Sequence, residues 1–162
     1  MAYNSIIIKS YTKIQEEYTA TAVAIRPGYL LELTSAGLVQ AHSSAEGNCL
    51  PMFALEDELQ GRGIDTNYGV STKVQVWIPR RGDIVYALLA DGQTVVIGDF
   101  LESNGAGALQ KHVSETESWE NASAAGSITV PPNPIVGQAL EAVDLSDSAN
   151  LTALGRILVR IL

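Results

Sequence analysis

The 162-residue chain has one cysteine, Cys49, two histidines and ten lysines and arginines. A single cysteine excludes an intrachain disulfide and a cysteine metal cluster; its ordinary place is as a small buried hydrophobe. Two histidines, His42 and His112, fall short of the three or four converging ligands of a zinc site. No metal and no cofactor is therefore expected, and both histidines read as surface or strand-edge residues. The basic residues are scattered, only Arg80-Arg81 being adjacent, and eighteen acids bring the net charge to −8. Phosphate binding needs clustered cations, so nucleic acid is a poor partner. Long apolar runs are absent too. Ile6-Ile7-Ile8 is far shorter than the ~18 residues of a membrane span. Residues 1–18 lack the basic start and apolar run of a signal peptide, so neither a membrane nor secretion is expected.

With 46% hydrophobic and 17% charged residues, the composition is globular, and the length suits one compact domain. Short segments rich in Val, Ile, Thr and Tyr recur, each closed by Gly, Pro, Asn or Asp. Strands are predicted at 5–9, 19–25, 28–34, 38–42, 73–79, 83–90, 93–98, 108–113, 127–132, 135–143 and 155–162. Alternation supports them: Val74, Val76 and Ile78 share one face, and Ile157, Val159 and Ile161 share another. Apart from Arg160 the last strand is apolar on both sides, which suits a central place or cover by a neighbouring subunit. Asp91-Gly92 supplies the positive φ of a hairpin turn, and Arg26-Pro27-Gly28 another turn. Leu55 and Leu59, early acids and Gly61 mark 53–69 as one or two turns of helix. The fold class that follows is all-β, a sandwich or barrel. Residues 1–18 mix charge and tyrosine without a period and read as an arm. Residues 19–162 read as the single β-rich domain, with a mobile loop insertion at 114–134.

One stretch occurs nearly twice. "GYLLELTSAGLVQAH" (28–42) and "GDFLESNGAGALQKH" (98–112) share Gly, Leu, Glu, Ala, Gly, Gln and His at matching places. Each reads as a hairpin whose tight turn needs glycine at its positive-φ corner. Either two unrelated hairpins converged on one turn chemistry, or the sheet is pseudo-duplicated. Two copies do not make a solenoid, which needs at least three.

Catalytic signals are poor. There is no GxSxG, P-loop or GxGxxG and no persuasive Ser-His-Asp order. Glu56, Asp57, Glu58, Asp83, Asp91 and Asp99 lie in or beside predicted turns, where acids have ordinary structural work. A catalytic pair must instead converge in a cleft with its pKa values pushed apart. Arg81-Gly82-Asp83 spells an integrin-type tripeptide but sits where a turn enters a strand. The chain is read as not an enzyme.

The order "PGYLLELTSAGLVQAH", "LPMFALEDELQGRGIDTNY", "VWIPRRGDIVYALLADGQTVVIGDFLES" with "GAGAL", then "IVGQALEAVD" and "GRILVRI" resembles the head decoration, or capsid cement, proteins of tailed bacteriophages. "FALED" and "QALEAVD" both supply the "ALE" element of that pattern. The resemblance covers residues 20–162, and the 114–134 insert departs from it. It implies a small β-barrel or β-tulip-like domain with an N-terminal extended arm and at most one short helix. It also implies a homotrimer, made in the bacterial host cytoplasm, on the outer surface of the virion head. There it would bind the major capsid protein and cement the expanded shell, with no catalytic residues, metal or cofactor.

The arm sequence "NSIIIKSYTK" offers an apolar strand with no hairpin partner beside it. Such a strand gains by adding to a sheet edge, either on another chain or on its own sheet. Ile6, Ile7, Ile8, Lys9 and Tyr11 are accordingly the candidate capsid-binding residues, and deleting residues 1–18 is expected to leave a folded body. Two other classes remain in view. A small trimeric β-barrel nucleotide hydrolase would use the Asp91-Gly92 and Gly105–Gly107 turns. A carbohydrate- or receptor-binding module would stack its ligand on exposed Trp77 and Trp119.

Overall fold

The computed structural model describes residues 3–10, 14–113, 135–147 and 155–162. Thirteen strands form among them: β1 (Ile7–Lys9), β2 (Gln15–Thr19), β3 (Leu31–Leu33), β4 (Val39–Ala41), β5 (Phe53–Ala54), β6 (Lys73–Trp77), β7 (Ile84–Leu89), β8 (Thr94–Val95), β9 (Phe100–Ser103), β10 (Leu109–Lys111), β11 (Gly137–Ala139), β12 (Val143–Asp144) and β13 (Gly155–Ile161). A single 3-10 turn, Glu58–Gln60, is the only helical element among the described residues. The predicted strand at 127–132, the 114–134 loop, Tyr11 and Trp119 lie outside the described residues.

The protein is all-β, and its second half closes into a five-strand barrel. β7 pairs with β10, β10 with β9, β9 with β11, β11 with β13, and β13 returns to β7. The predicted alternation of the last strand holds. Ile157, Val159 and Ile161 point into the barrel, while Arg160 and Leu162 face out. With partners on both sides, β13 is a central strand. Val85, Ala87, Leu89, Val95, Leu101, Leu109 and Ala139 fill the remaining interior.

The first half repeats this ring in smaller form. β2 pairs with β6 and β6 with β5; a bridge joins Phe53 to Leu30 at the start of β3; β3 pairs with β4; and a parallel bridge from Val39 to Ala20 returns to the end of β2. The two hairpins that are alike in sequence have the same register. Leu31, Glu32 and Leu33 face Ala41, Gln40 and Val39, and Leu101, Glu102 and Ser103 face Lys111, Gln110 and Leu109. Their connections also match. Gly28 N–H donates to Ala54 C=O and Gly98 N–H to Ala139 C=O, so the two "ALE" segments are equivalent. Leu55 N–H donates to Gln75 C=O and Leu140 N–H to Leu158 C=O, which equates β6 with β13. Thr21 N–H reaches Val39 C=O and Ala90 N–H reaches Leu109 C=O, which equates β2 with β7. Shared turn chemistry alone does not carry equivalence through five strands; the sheet is duplicated. The first ring has its own core of Ala20, Ile25, Leu31, Val39, Met52, Ala54, Tyr68, Val74 and Val76.

The rings are stacked, and the stacking explains where the copies differ. Leu30, Phe53 and Trp77 lie on the outer face of the first ring, yet all three are fully buried, because the second barrel covers them. The corresponding places on the second barrel hold Phe100, Gln138 and Arg160, which are exposed or half-buried. The second hairpin turn makes the join. Gly107 N–H donates to His42 C=O, its own C=O accepts from Leu30 N–H, and Glu46 N–H donates to Ser103 C=O.

Several expectations need revision. Of the segment 19–25, Thr19 ends β2 and Ala20 and Ile25 form isolated bridges; the rest of β2, Gln15–Tyr18, comes from residues read as part of the arm. Asp91-Gly92 is a turn, with Gly92 at φ 75°. It joins no hairpin, because β7 and β8 belong to different sheets. The 53–69 segment opens as β5, and its helical content is the one 3-10 turn; Leu59 is 83% exposed, so no apolar helix face exists. The segment 135–143 is divided between β11 and β12. Residues 3–10 do not stand apart either, since β1 pairs with β7 of the same chain.

Candidate functional site

The arm residues come first. Ile6 is 0% exposed and belongs to the core. Its N–H donates to a Glu56 carboxylate oxygen at 3.1 Å, and its C=O accepts from Tyr86 N–H at 2.9 Å. Ile7 faces Val85 and packs on the core, and Lys9 faces Ile84 across a bulge. Ile8 is half-buried and Lys9 exposed, while Tyr3 meets the Tyr86 ring edge-on at 5.2 Å. Four of the five candidate residues are thus brought together in cis; Tyr11 lies outside the described residues.

The duplicated hairpins carry a duplicated polar cluster. In the first, Gln40 Nε2 donates to Glu32 Oε1 at 2.7 Å, and His42 Nε2 is 3.8 Å from Glu32 Oε2. In the second, Gln110 Nε2 donates to Glu102 Oε1 at 3.1 Å, and His112 Nδ1 is 2.6 Å from Glu102 Oε2. The shared Glu, Gln and His letters are therefore cross-strand fasteners. Burial pushes the Glu32 carboxyl up, but hydrogen bonds from Ser43 and Gln40 prevail and hold it below the usual range. His42 is not a surface residue. It is buried in the seam between the rings, Nδ1 being 2.7 Å from Ser103 Oγ and Nε2 3.2 Å from Asn48 O.

Ser103, His42 and Glu32 thus form a chain with the look of a catalytic triad, which the sequence order had hidden. Its geometry argues for a lock. The Asn48 carbonyl can only accept, so Nε2–H donates to it, and in the neutral ring Nδ1 then accepts the Ser103 hydroxyl; Ser103 Oγ also accepts Gly105 N–H at 3.1 Å. Ser103 is 0% exposed, so substrate has no approach, and a nucleophile must reach its target.

The other sequence signals resolve into structural roles. Asp83 is buried, and its carboxylate accepts Arg80 N–H at 2.9 Å across a tight turn, so the Arg-Gly-Asp tripeptide is not presented. Asp99 closes a like turn onto Val96 N–H at 3.0 Å and pairs with Lys111 at 2.8 Å. Those contacts, Lys111 first, hold its carboxyl below the usual range. The amides of the Gly105–Gly107 turn, which would have to cradle a phosphate, are already used: Gly105 N–H donates to Ser103 Oγ, Ala106 N–H to Asn104 Oδ1 and Gly107 N–H to His42 O. Trp77, expected as an exposed stacking platform, is fully buried between the rings. Among the described residues no group of three or more His, Cys, Asp and Glu side chains is placed to hold a metal, and no helix is long and apolar enough to cross a membrane.

Sequence reasoning missed Arg156. Its guanidinium, largely buried, donates to Pro27 O at 3.2 Å and Ile64 O at 2.5 Å and lies 5.7 Å from the Tyr86 ring centre. It ties the second barrel to the first. The isolated letter R at the start of a strand gives no hint of this.

Two recesses lie among the described residues of the first ring. One of about 160 Å³ is bordered by Leu31, Leu33, His42, Cys49, Leu50 and Met52. Cys49 is half-buried there, and burial pushes its thiol up, away from the reactive thiolate. An open acidic groove of about 420 Å³ is lined by Gln15, Glu16, Glu17, Glu58, Leu59 and Gln75. Phe100, Ile97, Val113, Ile135 and Leu162 of the second barrel are exposed, as are Leu33 and Leu50 of the first.

No protein-family model and no curated protein sequence matches the chain. A solved structure does: the crystal structure of the head fiber gp8.5 N base in bacteriophage phi29. It aligns over 92% of this chain and 95% of that one, with a TM-score of 0.52 and 10% sequence identity, so the two share their fold.

Proposed function

We propose that the chain is a structural protein of a tailed-phage head. It binds the outer surface of the capsid and stabilises the expanded shell by cementing contacts between major capsid proteins. The observation that carries the reading is the fold shared with the phi29 head fiber base along nearly the whole of both chains. The sequence resemblance to decoration proteins points the same way from different residues.

The mechanism needs binding energy and no chemistry. Each subunit buries surface across a joint between capsid proteins and so raises the barrier to rupture. A homotrimer multiplies those contacts, so modest interfaces give high avidity. An acidic chain with a net charge of −8 suits the outside of a shell, away from packaged DNA. Since β1 is paired in cis with β7 and Ile6 is buried, the N-terminal segment contributes to capsid binding as an edge of this chain's own sheet. A second reading follows from the same neighbour: the chain is the base of a projecting element on the head, without a cementing role.

The test is sedimentation of purified protein with undecorated, expanded heads of the parent phage. Co-sedimentation that saturates at a fixed ratio per capsid protein supports the head role, and absence of binding overturns it. Greater resistance of loaded heads to heat or osmotic shock supports cementing. Binding without added resistance supports the base reading instead.

A further inference from the structure

The chain holds one interface and, left over, one half of each kind needed to make it again. In the seam between the rings, the second hairpin turn, Asn104–Gly107, is the donor. It seats on the first ring, where Gly107 exchanges backbone hydrogen bonds with Leu30 and His42 and Gly105 lies against Ala45. The acceptor is the outer face of the first ring at Tyr29, Leu30 and His42.

Both elements have counterparts in the other ring. The counterpart donor is the first hairpin turn, Thr34–Gly37, which has the same register and the same positive φ at its closing glycine, Gly37 at 73° and Gly107 at 80°. It stands in open space: nothing lies within 4 Å of the place a Gly37 Cβ would take, and Ser35 and Ala36 are exposed. The counterpart acceptor is the second-barrel face at Asp99, Phe100 and His112. There Phe100 is 43% exposed in the place where Leu30 is fully buried.

We propose that copies of this chain associate head to tail, the Thr34–Gly37 turn of one seating on the Phe100 face of the next. A donor at one end and an acceptor at the other make a heterologous contact, which closes into a ring or extends as a filament according to its rotation. The contact between copies is more polar than the one within the chain. Asp99 and Lys111, paired at 2.8 Å, stand where Tyr29 and Ala41 stand in the first ring. The proposal rests on the duplicated fold alone and is independent of the head role.

The experiment is sedimentation velocity of the full chain over a range of concentrations, with Ala36→Arg as the donor variant and Phe100→Lys as the acceptor variant, like charges that cannot re-pair with each other. Both positions are exposed, and circular dichroism confirms folding; Phe100→Gln replaces Phe100→Lys if the latter unfolds. The wild type is expected to assemble, and each variant alone to be monomeric. An equimolar mixture of the two variants still has one intact donor and one intact acceptor, so it should give heterodimers and nothing larger. A wild type that stays monomeric throughout, variants that assemble like the wild type, or a mixture without heterodimers would each overturn the proposal.

Discussion

Alanine at Gly37 and at Gly107 is the same substitution at equivalent corners of two equivalent hairpins, and the fold predicts unequal costs. Both glycines have positive φ, 73° and 80°, so each alanine incurs the left-handed penalty of about 1–2 kcal/mol. The loss of unfolded-chain entropy on replacing glycine is common to both and cancels in the comparison. At Gly37 nothing else happens, because no atom lies within 4 Å of the new methyl. At Gly107 the methyl would come within 2.9 Å of both Ala41 Cβ and Tyr29 Cγ. Backbone hydrogen bonds to Leu30 and His42 pin the turn on that side, so relief requires the seam to open. Overpacking of this kind adds about 1–3 kcal/mol. Gly37→Ala is therefore expected to cost about 1–2 kcal/mol and Gly107→Ala about 2–5 kcal/mol. Urea titrations of the two variants and the wild type, read at a common slope, measure the difference. Equal destabilisation, or a larger loss at Gly37, would refute the docking of the second turn on the first ring.

Other consequences are open to test. Ile6→Ala removes a fully buried side chain and should cost about 2–5 kcal/mol by thermal unfolding; deletion of residues 1–18 should cost more still, since it removes β2 from the first ring. Arg156→Ala strips Pro27 O and Ile64 O of a charged donor, worth about 1.5–3 kcal/mol for one such bond. Lysine at 156 should restore only part of the loss, because an ammonium lacks the guanidinium fork. Asp99 and Glu32 both have carboxyls held below the usual range. Their stabilisation is therefore fully present above the unfolded carboxylate range of about 4 and is lost as pH falls through the folded values. Asp99→Asn should flatten part of the decline in urea midpoint on acidification; an unchanged slope would show that the Lys111 contact contributes nothing.

The alternation of β6 and β13 was legible because one side of each faces a ring interior. β2 was not, since Gln15, Glu16 and Glu17 are all exposed and leave no period to read. The 53–69 segment imitated a helix through Leu55 and Leu59 four apart, but only Leu55 is buried, and Phe53 and Ala54 were already committed to β6. The repeat showed itself in two hairpins and then faded. Phe53 and Gln138 are equivalent, as are Trp77 and Arg160, yet one member of each pair is sealed in the seam and the other meets water. Selection for those different surroundings erases sequence likeness while the backbone stays in place. The candidate surfaces were the least legible part. The arm strand was readable as a strand, but not which sheet edge it joins, because a bare edge on this chain and one on another offer it the same hydrogen bonds.

The head role itself is tested most directly by imaging the parent phage's expanded heads with and without the purified chain, at a resolution sufficient to separate capsid subunits. The account predicts added density on the outer surface, seated over the joints between major capsid proteins and of a size to hold the two stacked rings. Difference density confined to the shell interior, or heads indistinguishable in the two samples, would contradict it.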